Sequence, residues 1–234
     1  WIPHGLEATE GVYVRYPQEE LLAVLALEST RHHAAIVGED LGTVPREIRA
    51  AMKRHAIQRM YVVQYEANTE REPPLNPIPE AAMASLNTHD MPPFAAFWKG
   101  FDLADQRALG LIDEAQERDA LAGRAELRRR IATAFDIATG DDASATAAAL
   151  HALLRHLAAS RARFVLVNLE DLWLETRPQN VPGTSAERPN WRRRSKHAIP
   201  SLIGEPRLTS ALEEVDSLRR TTWHHPRRPA RSHG

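Results

Sequence analysis

Segments typical of strands alternate with helical segments along this chain, and this alternation limits its fold more than any other feature. The candidate strands are short runs rich in apolar, β-branched or aromatic residues. They are residues 34–37 (AAIV), 59–66 (RMYVVQYE), 81–86 (AAMASL) and 163–172 (RFVLVNLEDL). Neighbouring parallel strands need a crossover connection, which is usually a helix. The alternation therefore predicts an α/β fold with parallel strands.

Helical periodicity fills much of the chain between these runs. Residues 17–30 carry apolar side chains at helical spacing, and residues 45–56 form an amphipathic pattern that Thr43 is placed to cap. Residues 101–160 are rich in Ala, Leu and Arg and predict several helices. The last of these helices has leucines at i, i+3, i+4 and i+7, namely Leu150, Leu153, Leu154 and Leu157.

Composition excludes several classes of protein. The 234 residues are 43% hydrophobic and 26% charged, which allows one substantial core or two small ones. A net charge of -1 gives no overall electrostatic reason to expect nucleic acid or an anionic membrane as a partner. The absence of cysteine excludes disulfides and thiolate metal sites. With no 18-residue apolar run and no signal segment, we expect a cytoplasmic protein.

The two ends of the chain carry signals of their own. Trp1 is not an initiator methionine, and the opening residues read as the middle of a longer sequence, so we expect a fragment. The tail, residues 219–234, is basic with interspersed aromatic residues, which leaves nucleic-acid binding as an alternative. Its composition lacks core-forming residues and favours a disordered end.

Polar pairs follow the predicted strands. Glu39-Asp40, Tyr65-Glu66, His89-Asp90 and Glu170-Asp171 each lie near the carboxyl end of one. Parallel α/β folds build their functional sites at that end of the sheet. The alternative is that polar residues simply begin where strands stop. Because side chains alternate along a strand, Glu39 and Asp40 must point in different directions, and only one of them can serve a given pocket.

Three separated motifs resemble one family of enzymes. They read GVYVRYPQEELLAVLALEST…IVGEDLGTVPREIR, LNTHDMPPFAAFW and VNLEDLW…RPQNVPGTSAERPNWRRR. In this order they resemble the amylomaltases, the 4-α-glucanotransferases of glycoside hydrolase family 77, and the resemblance runs from Trp1 to about Arg220. It implies a (β/α)8 TIM barrel of which this chain is the C-terminal half, about strands five to eight, with a long helical insertion between the last two strands. Residues 1–206 would belong to the barrel, and residues 207–234 would form a C-terminal helix and a basic, disordered tail.

The resemblance also implies a reaction and an acid/base residue. The reaction is a retaining transfer of α-1,4-glucan segments to the 4-hydroxyl group of another glucan or of glucose. It needs a carboxylate nucleophile and, about 5 to 5.5 Å away, a second carboxyl group that acts first as acid and then as base. On the family pattern Glu39 is this acid/base, and it must be protonated when substrate binds. Asp40, which points the other way, is then expected to brace the loop or to complete hydrogen bonding within the turn.

The family pattern assigns the sugar-binding residues as well. Asp90 matches a third carboxylate that grips sugar hydroxyl groups next to the reacting carbon, and His89 would hydrogen-bond the same sugar. Asn180, Pro182 and Gly183 would line the subsites where the acceptor sugar lands. Without the family, Asp90 could cap a helix, His89 could be structural and the Pro-Gly pair could be an ordinary turn.

Aromatic residues and cofactors complete the expectations. Trp98, Trp173 and Trp191 could stack on sugar rings or lie in the core, and the sequence leaves both readings open. The reaction needs no cofactor and no metal, and the adjacent pair His32-His33 points apart rather than towards one ion. The expected partners are α-1,4-glucans, that is maltooligosaccharides, as donor and acceptor, with no nucleic acid and no membrane.

The nucleophile is the main departure from the family pattern. In the family it is an aspartate of an Arg-Ile-Asp-His-type motif on the fourth strand, and residues 1–39 contain no aspartate. We therefore expect half a barrel with unpaired strand edges that is inactive alone. Three functions stay open: a fragment of a 4-α-glucanotransferase, an α-amylase-like glucan hydrolase, and a non-catalytic glucan-binding module.

Overall fold

The structure is a computed structural model that describes residues 1–138, 140 and 142–222 of the chain. The chain divides into two compact units, Trp1–Met60 and a second that begins at Tyr61. Within the described residues, no helix is both long enough and apolar enough to cross a membrane. The prediction of a disordered tail concerns residues that lie, from Trp223 on, outside the described part of the chain.

Two helices dominate the first unit. A 3-10 turn at Ala8–Glu10 is followed by α1 (Gln18–Arg31) and α2 (Arg46–Arg54), which confirms both predicted helices. The two helices differ in burial. α2 buries Ala51 and Met52, whereas none of the fourteen residues of α1 is buried against the described part of the chain.

The strand predicted at residues 34–37 is too long. Only Val37 pairs, in a single parallel bridge with Gln58. The Gln58 amide donates to the Ile36 carbonyl and the Gly38 amide donates to the Gln58 carbonyl, both at 2.9 Å. The Ala34 amide donates instead to the Ser29 carbonyl at 3.0 Å, so the start of the run closes the end of α1 rather than extending a ladder.

The predicted cap of α2 is also wrong. Pro45 occupies the N-cap position, and no side chain caps the helix. Thr43 lies two residues before that position, too far back along the chain for its hydroxyl group to serve the first amides of the helix. Proline at a helix start loses no intrahelical hydrogen bond, because the first amides have no partner within the helix.

The second unit is built on a short sheet surrounded by helices. The strands have the order β1-β2-β3, the boundary between the units falls inside β1, and β2 and β3 are parallel, with Met83 opposite Phe164 and Ala84 opposite Val165. The elements are β1 (Arg59–Val62), α3 (Val63–Glu66), β2 (Ala82–Ser85), α4 (Phe94–Lys99), α5 (Phe101–Ala108), α6 (Glu114–Ala134), α7 (Ala143–Ala158), β3 (Phe164–Val165), α8 (Leu169–Leu172), α9 (Ile199–Ile203) and α10 (Pro206–Thr222).

The strands are shorter than the sequence predicts. The run 59–66 ends as a strand at Val62 and continues as the single turn α3. The run 163–172 keeps only Phe164 and Val165 as strand. The Asn168 side chain accepts a hydrogen bond from the Glu170 amide, so α8 begins where the sequence pattern still favours a strand.

The core of the second unit lies between the sheet and the helices that connect β2 to β3. The helical region predicted at residues 101–160 is confirmed as α5, α6 and α7. The leucine face of α7 is buried as its spacing predicts, against a cluster that includes Phe94, Trp98 and Ile131. Burying a leucine side chain contributes roughly 1.5 to 3 kcal/mol, so this helix is a major source of stability for the unit.

Candidate active site

Glu39 and Asp40 diverge as strand alternation predicts. Glu39 is exposed, and Asp40 is 2% exposed. The Asp40 Oδ2 atom accepts hydrogen bonds from Arg59 Nε at 2.7 Å and from Arg49 Nε at 3.1 Å. Its Oδ1 atom accepts from the Met60 amide at 3.0 Å. Asp40 thus ties the turn to α2 and to β1, which confirms the bracing role.

The backbone on the other side of Glu39 is also fixed. A Cβ atom added at Gly38 would lie 2.8 Å from Met52 Cε and 3.2 Å from Ile57 Cγ2, so the chain passes close to α2 at this point. Glu39 therefore extends an exposed carboxyl group from a backbone that is anchored at both neighbouring residues.

His89 and Asp90 lie in the loop that follows β2. Both side chains are exposed, and their closest approach is 3.4 Å between His89 Nε2 and Asp90 Oδ2. The Asp90 Oδ1 atom accepts a hydrogen bond of 2.6 Å from Asn180 Nδ2, ninety residues further along the chain. The alternative that Asp90 caps the next helix is wrong, since Pro93 is the N-cap of α4 and no side chain of the loop caps it.

Pro182 and Gly183 shape the loop that carries Asn180. They form the centre of a turn closed by a hydrogen bond of 3.3 Å from the Thr184 amide to the Val181 carbonyl. Gly183 has a φ of 83°, which a type II turn requires at its third position and which glycine adopts without steric cost. Both residues are exposed. Of the predicted site residues in the second unit, the structure thus joins His89, Asp90 and Asn180, and it places the Pro-Gly pair two residues beyond them.

Trp191 also belongs to this cluster. The sequence alone had left open whether it lies in the core or at the site. Its ring centroid lies 5.8 Å from that of His89, and the residue is 57% exposed. Its amide donates to the Gln179 carbonyl at 2.8 Å, next to Asn180. Trp98 is a core residue stacked on Phe94. The signal for Trp191 was its place within the RPQNVPGTSAERPNWRRR motif, because composition alone does not distinguish the three tryptophans.

The other two polar pairs lie in short helices. Tyr65 and Glu66 end α3, and Glu66 accepts a hydrogen bond of 2.6 Å from Asn76. Glu170 and Asp171 lie in α8, and Asp171 is 1% exposed. Burial raises the pKa of the Asp171 carboxyl group to about 7, although hydrogen bonds from the Phe94 amide and the Asn87 side chain oppose the rise.

Comparison with known proteins decides the family. A sequence profile of the 4-alpha-glucanotransferases, glycoside hydrolase family 77, matches residues 1–199. The chain belongs to this family. It is 30% identical to a 4-alpha-glucanotransferase of Haemophilus influenzae and 34% identical to one of Mycobacterium tuberculosis. Each alignment covers 94% of this chain, and the chain spans only 33% and 30% of the two relatives. The resemblance read from the sequence is confirmed.

Solved structures show that the fold is shared. An amylomaltase from Corynebacterium glutamicum superposes with a TM-score of 0.70 at 24% identity, over 88% of this chain and 32% of that one. An amylomaltase from Streptococcus agalactiae in complex with acarbose superposes with a TM-score of 0.68 at 16% identity, over 94% and 38% of the two chains. At these identities the likeness is one of fold, and the mainly helical chain with its small parallel sheet has the fold of part of an amylomaltase.

Proposed function

We propose that this chain provides the acid/base and sugar-binding residues of a retaining 4-α-glucanotransferase, as the C-terminal half of its (β/α)8 barrel. Membership of the family supports the reaction class. The observation that carries the proposal furthest is the 2.6 Å hydrogen bond between Asn180 and Asp90, because it brings residues of two separate motifs into one exposed cluster.

Glu39 is the acid/base in this proposal. Its protonated carboxyl group donates to the glycosidic oxygen as the bond to the anomeric carbon breaks and the nucleophile bonds to that carbon. The resulting carboxylate then takes the proton of the incoming 4-hydroxyl group, whose oxygen displaces the nucleophile. The exposed side chain and the anchored backbone support this role, since a proton must be exchanged at a fixed position with two different sugars.

Asp90 supports the positive charge that develops at the sugar. One of its oxygens is held by Asn180, and the residue remains exposed, so lone pairs are free to accept hydrogen bonds from sugar hydroxyl groups. A negative charge fixed beside the reacting carbon stabilises an oxocarbenium-like transition state more than the bound substrate. His89 adds a hydrogen bond to the same sugar, and the exposed face of Trp191 offers an apolar surface for a pyranose ring.

The nucleophile comes from outside these residues in our proposal. The first aspartate of the chain is Asp40, and its carboxylate is occupied by two arginines and a backbone amide. We propose that a further stretch of glucanotransferase polypeptide supplies the nucleophilic aspartate and the donor-side residues, and that the 234 residues by themselves turn over no glucan.

The test uses a joined protein, in which this chain follows the part of the Mycobacterium tuberculosis relative that precedes the matched region. Incubation with maltotriose should give oligosaccharides both longer and shorter than the substrate. Shortening alone would make the enzyme a hydrolase. Binding of maltotriose without any products, by a protein that circular dichroism shows to be folded, would make the chain a glucan-binding module. Turnover by the 234-residue chain alone would refute the proposed origin of the nucleophile.

The origin of the nucleophile can also be tested from the DNA sequence. Sequencing the DNA immediately upstream of the Trp1 codon shows whether an open reading frame continues into it. A continuous frame that encodes an aspartate motif of the Arg-Ile-Asp-His type supports the enzyme. An in-frame stop codon followed by a start at this segment supports the binding module.

A further inference from the structure

Two loops carry the sugar-binding cluster of the second unit. The His89 loop, residues 87–94, follows β2 and holds His89 and Asp90. The Asn180 loop, residues 175–193, follows α8 and holds Asn180 and Trp191. The loops meet through the Asn180 to Asp90 hydrogen bond and the contact of the His89 and Trp191 rings. Neither contact is buried, so something else must fix the positions of the loops.

Asp171 holds both ends of the His89 loop. Its Oδ2 atom accepts a hydrogen bond of 2.8 Å from Asn87 Nδ2, at the first residue of the loop. Its Oδ1 atom accepts a hydrogen bond of 2.7 Å from the amide of Phe94, at the last. That amide is in the first turn of α4, where a helix provides no internal acceptor. One buried carboxylate thus spans the loop and also caps the helix that follows it.

Glu170 holds the Asn180 loop in a similar way. Its Oε1 atom accepts from Gln179 Nε2 at 3.0 Å and from Arg193 Nη2 at 2.8 Å. Arg193 in turn donates to Glu175 Oε2 at 3.2 Å and to the Arg177 carbonyl at 2.9 Å. The three charged side chains are mostly buried, so their ion pairs are screened less than surface pairs. The beginning, the middle and the end of the loop are therefore tied to one residue of α8.

The two carboxylates face different loops because they are neighbours on a helical turn. Successive residues of a helix point about 100° apart, which follows from 3.6 residues per turn. We propose that Glu170 and Asp171 are positioning residues of the sugar cluster, with Asp171 fixing the His89 loop and Glu170 fixing the Asn180 loop so that Asp90 and Asn180 meet. This inference rests on the proposed function for its catalytic meaning, and on the hydrogen bonds alone for its structural content.

Two oxygen acceptors suit the position of Asp171 better than the amide group of an asparagine does. Both of its partners are donors, and a carboxylate accepts at both oxygens. An asparagine there would present an amide group to one of the donors and leave that donor unsatisfied. The neighbouring contact from Asn168 Nδ2 to Asn87 Oδ1, at 3.3 Å, would oppose a compensating flip of Asn87.

Hydrogen exchange of the 234-residue chain, read by mass spectrometry, tests the assignment. In Asp171→Asn, amides of residues 87–94 should exchange at least about tenfold faster, since a buried hydrogen bond at each end is lost or weakened. In Glu170→Gln, the faster exchange should be confined to residues 175–193. The matched control is Asp142→Asn, which makes the same change at the carboxylate that caps α7 and should leave both loops as they are.

In this crossed pattern each variant speeds amide exchange in one loop only. Such a result distinguishes the positioning of each loop by its own carboxylate from a general loosening of the second unit. Exchange in the two loops that is unchanged in both variants, or that rises equally in both loops for either variant, overturns the inference. In the joined protein, Asp171→Asn should lower kcat with little change in KM, because it displaces Asp90, and Glu170→Gln should raise KM with little change in kcat. The crossed exchange pattern in the chain, together with a joined protein that transfers no glucan, would uphold the clamping of the loops and refute the proposed function instead.

Discussion

The same dipeptide, Glu-Asp, occurs in both units with opposite outcomes for its glutamate. In each unit the aspartate is buried and anchors the chain. Asp40 is anchored by two arginines and a backbone amide, whereas Asp171 is anchored by neutral donors only. Glu39 is exposed, whereas Glu170 is held by Arg193.

The difference shows what a catalytic carboxyl group requires. A general acid must give up and regain a proton, so a strong ion pair with an arginine would hold it in its charged form. Glu170 has such a partner and is suited to structure. In the first unit Arg49 and Arg59 are bound to Asp40 instead, so their positive charge braces the turn. In our proposal the two identical dipeptides therefore serve different purposes, because their glutamates differ in whether an arginine binds them.

The largest expected effect comes from the exposed glutamate, Glu39. In the joined protein, Glu39→Gln should lower turnover of maltotriose by about 10⁴-fold, because it removes the proposed proton donor and acceptor. Glucan binding should change little. Glu47→Gln, at an exposed glutamate of α2, is the matched control and should be neutral. Product formation by Glu39→Gln within tenfold of the parent rate would exclude Glu39 from the role.

The next largest effect on turnover is expected from removing the charge of Asp90. Asp90→Asn keeps the oxygen that accepts from Asn180 and removes only the negative charge, so turnover should fall by about 10³-fold with little change in the fold. Asp119→Asn, at an exposed aspartate of α6, controls for a change of net charge. A near-normal rate in steady-state assays would mean that Asp90 contacts no developing charge.

Asp171 should make the second unit sensitive to pH. Its folded pKa, about 7, lies above the ordinary value of 3.8, so between these values the folded state keeps a proton that the unfolded chain has lost. The contribution of this group to stability is full below about pH 4, falls as pH rises, and levels off above about 7 at a cost on the order of 4 kcal/mol. Urea unfolding at several pH values should show this slope in the parent and a flatter one in Asp171→Asn. Identical slopes would show that the carboxylate is not desolvated as described.

Asp40 should contribute to stability in a way that depends on salt, because two of its partners are charged arginines. Asp40→Asn should lower the free energy of unfolding by about 2 kcal/mol, since two partly exposed arginines lose a buried counterion. The loss should shrink in high salt, because the arginines are accessible to ions. A change below about 0.5 kcal/mol in urea unfolding would show that the bracing contacts contribute no more than surface pairs.

Local pattern was a reliable guide to α1, α2 and the helical region of residues 101–160, and to the two directions of Glu39 and Asp40. Both depend on periodicity within a few residues, which a sequence displays directly. The exposure of α1 was not foreseeable in this way, because its apolar face resembles that of a buried helix, and only the surrounding chain decides whether the face is covered. Leu21, Val24, Leu25 and Leu27 on this helix are 43 to 58% exposed.

Contacts between distant residues account for most of what the sequence did not reveal. Asp90 looked like a helix cap from its neighbours, but Asp171 accepts from the first amide of α4 across 77 positions. Nothing in the sequence around α4 indicates that Asp171, rather than Asp90, accepts from this amide. The early end of β3 at Val165 was missed for a related reason, since Asn168 starts a helical turn inside a run whose residues favour a strand. Family resemblance supplied the candidate site residues. The structure gave contacts with their loops to Trp191, Glu170 and Asp171, which the sequence had named without a settled role.

The role of Glu39 can be measured most directly with a donor that needs no acid. Fluoride leaves a glycosyl fluoride as an anion, so an enzyme that lacks only its general acid still forms the glycosyl-enzyme. The joined protein carrying Glu39→Gln should release fluoride from α-maltotriosyl fluoride and accumulate a covalent maltotriosyl adduct, visible by intact-protein mass spectrometry, because no base activates the incoming hydroxyl group. Normal transfer from maltotriose, with no adduct and no loss of rate, would contradict the account.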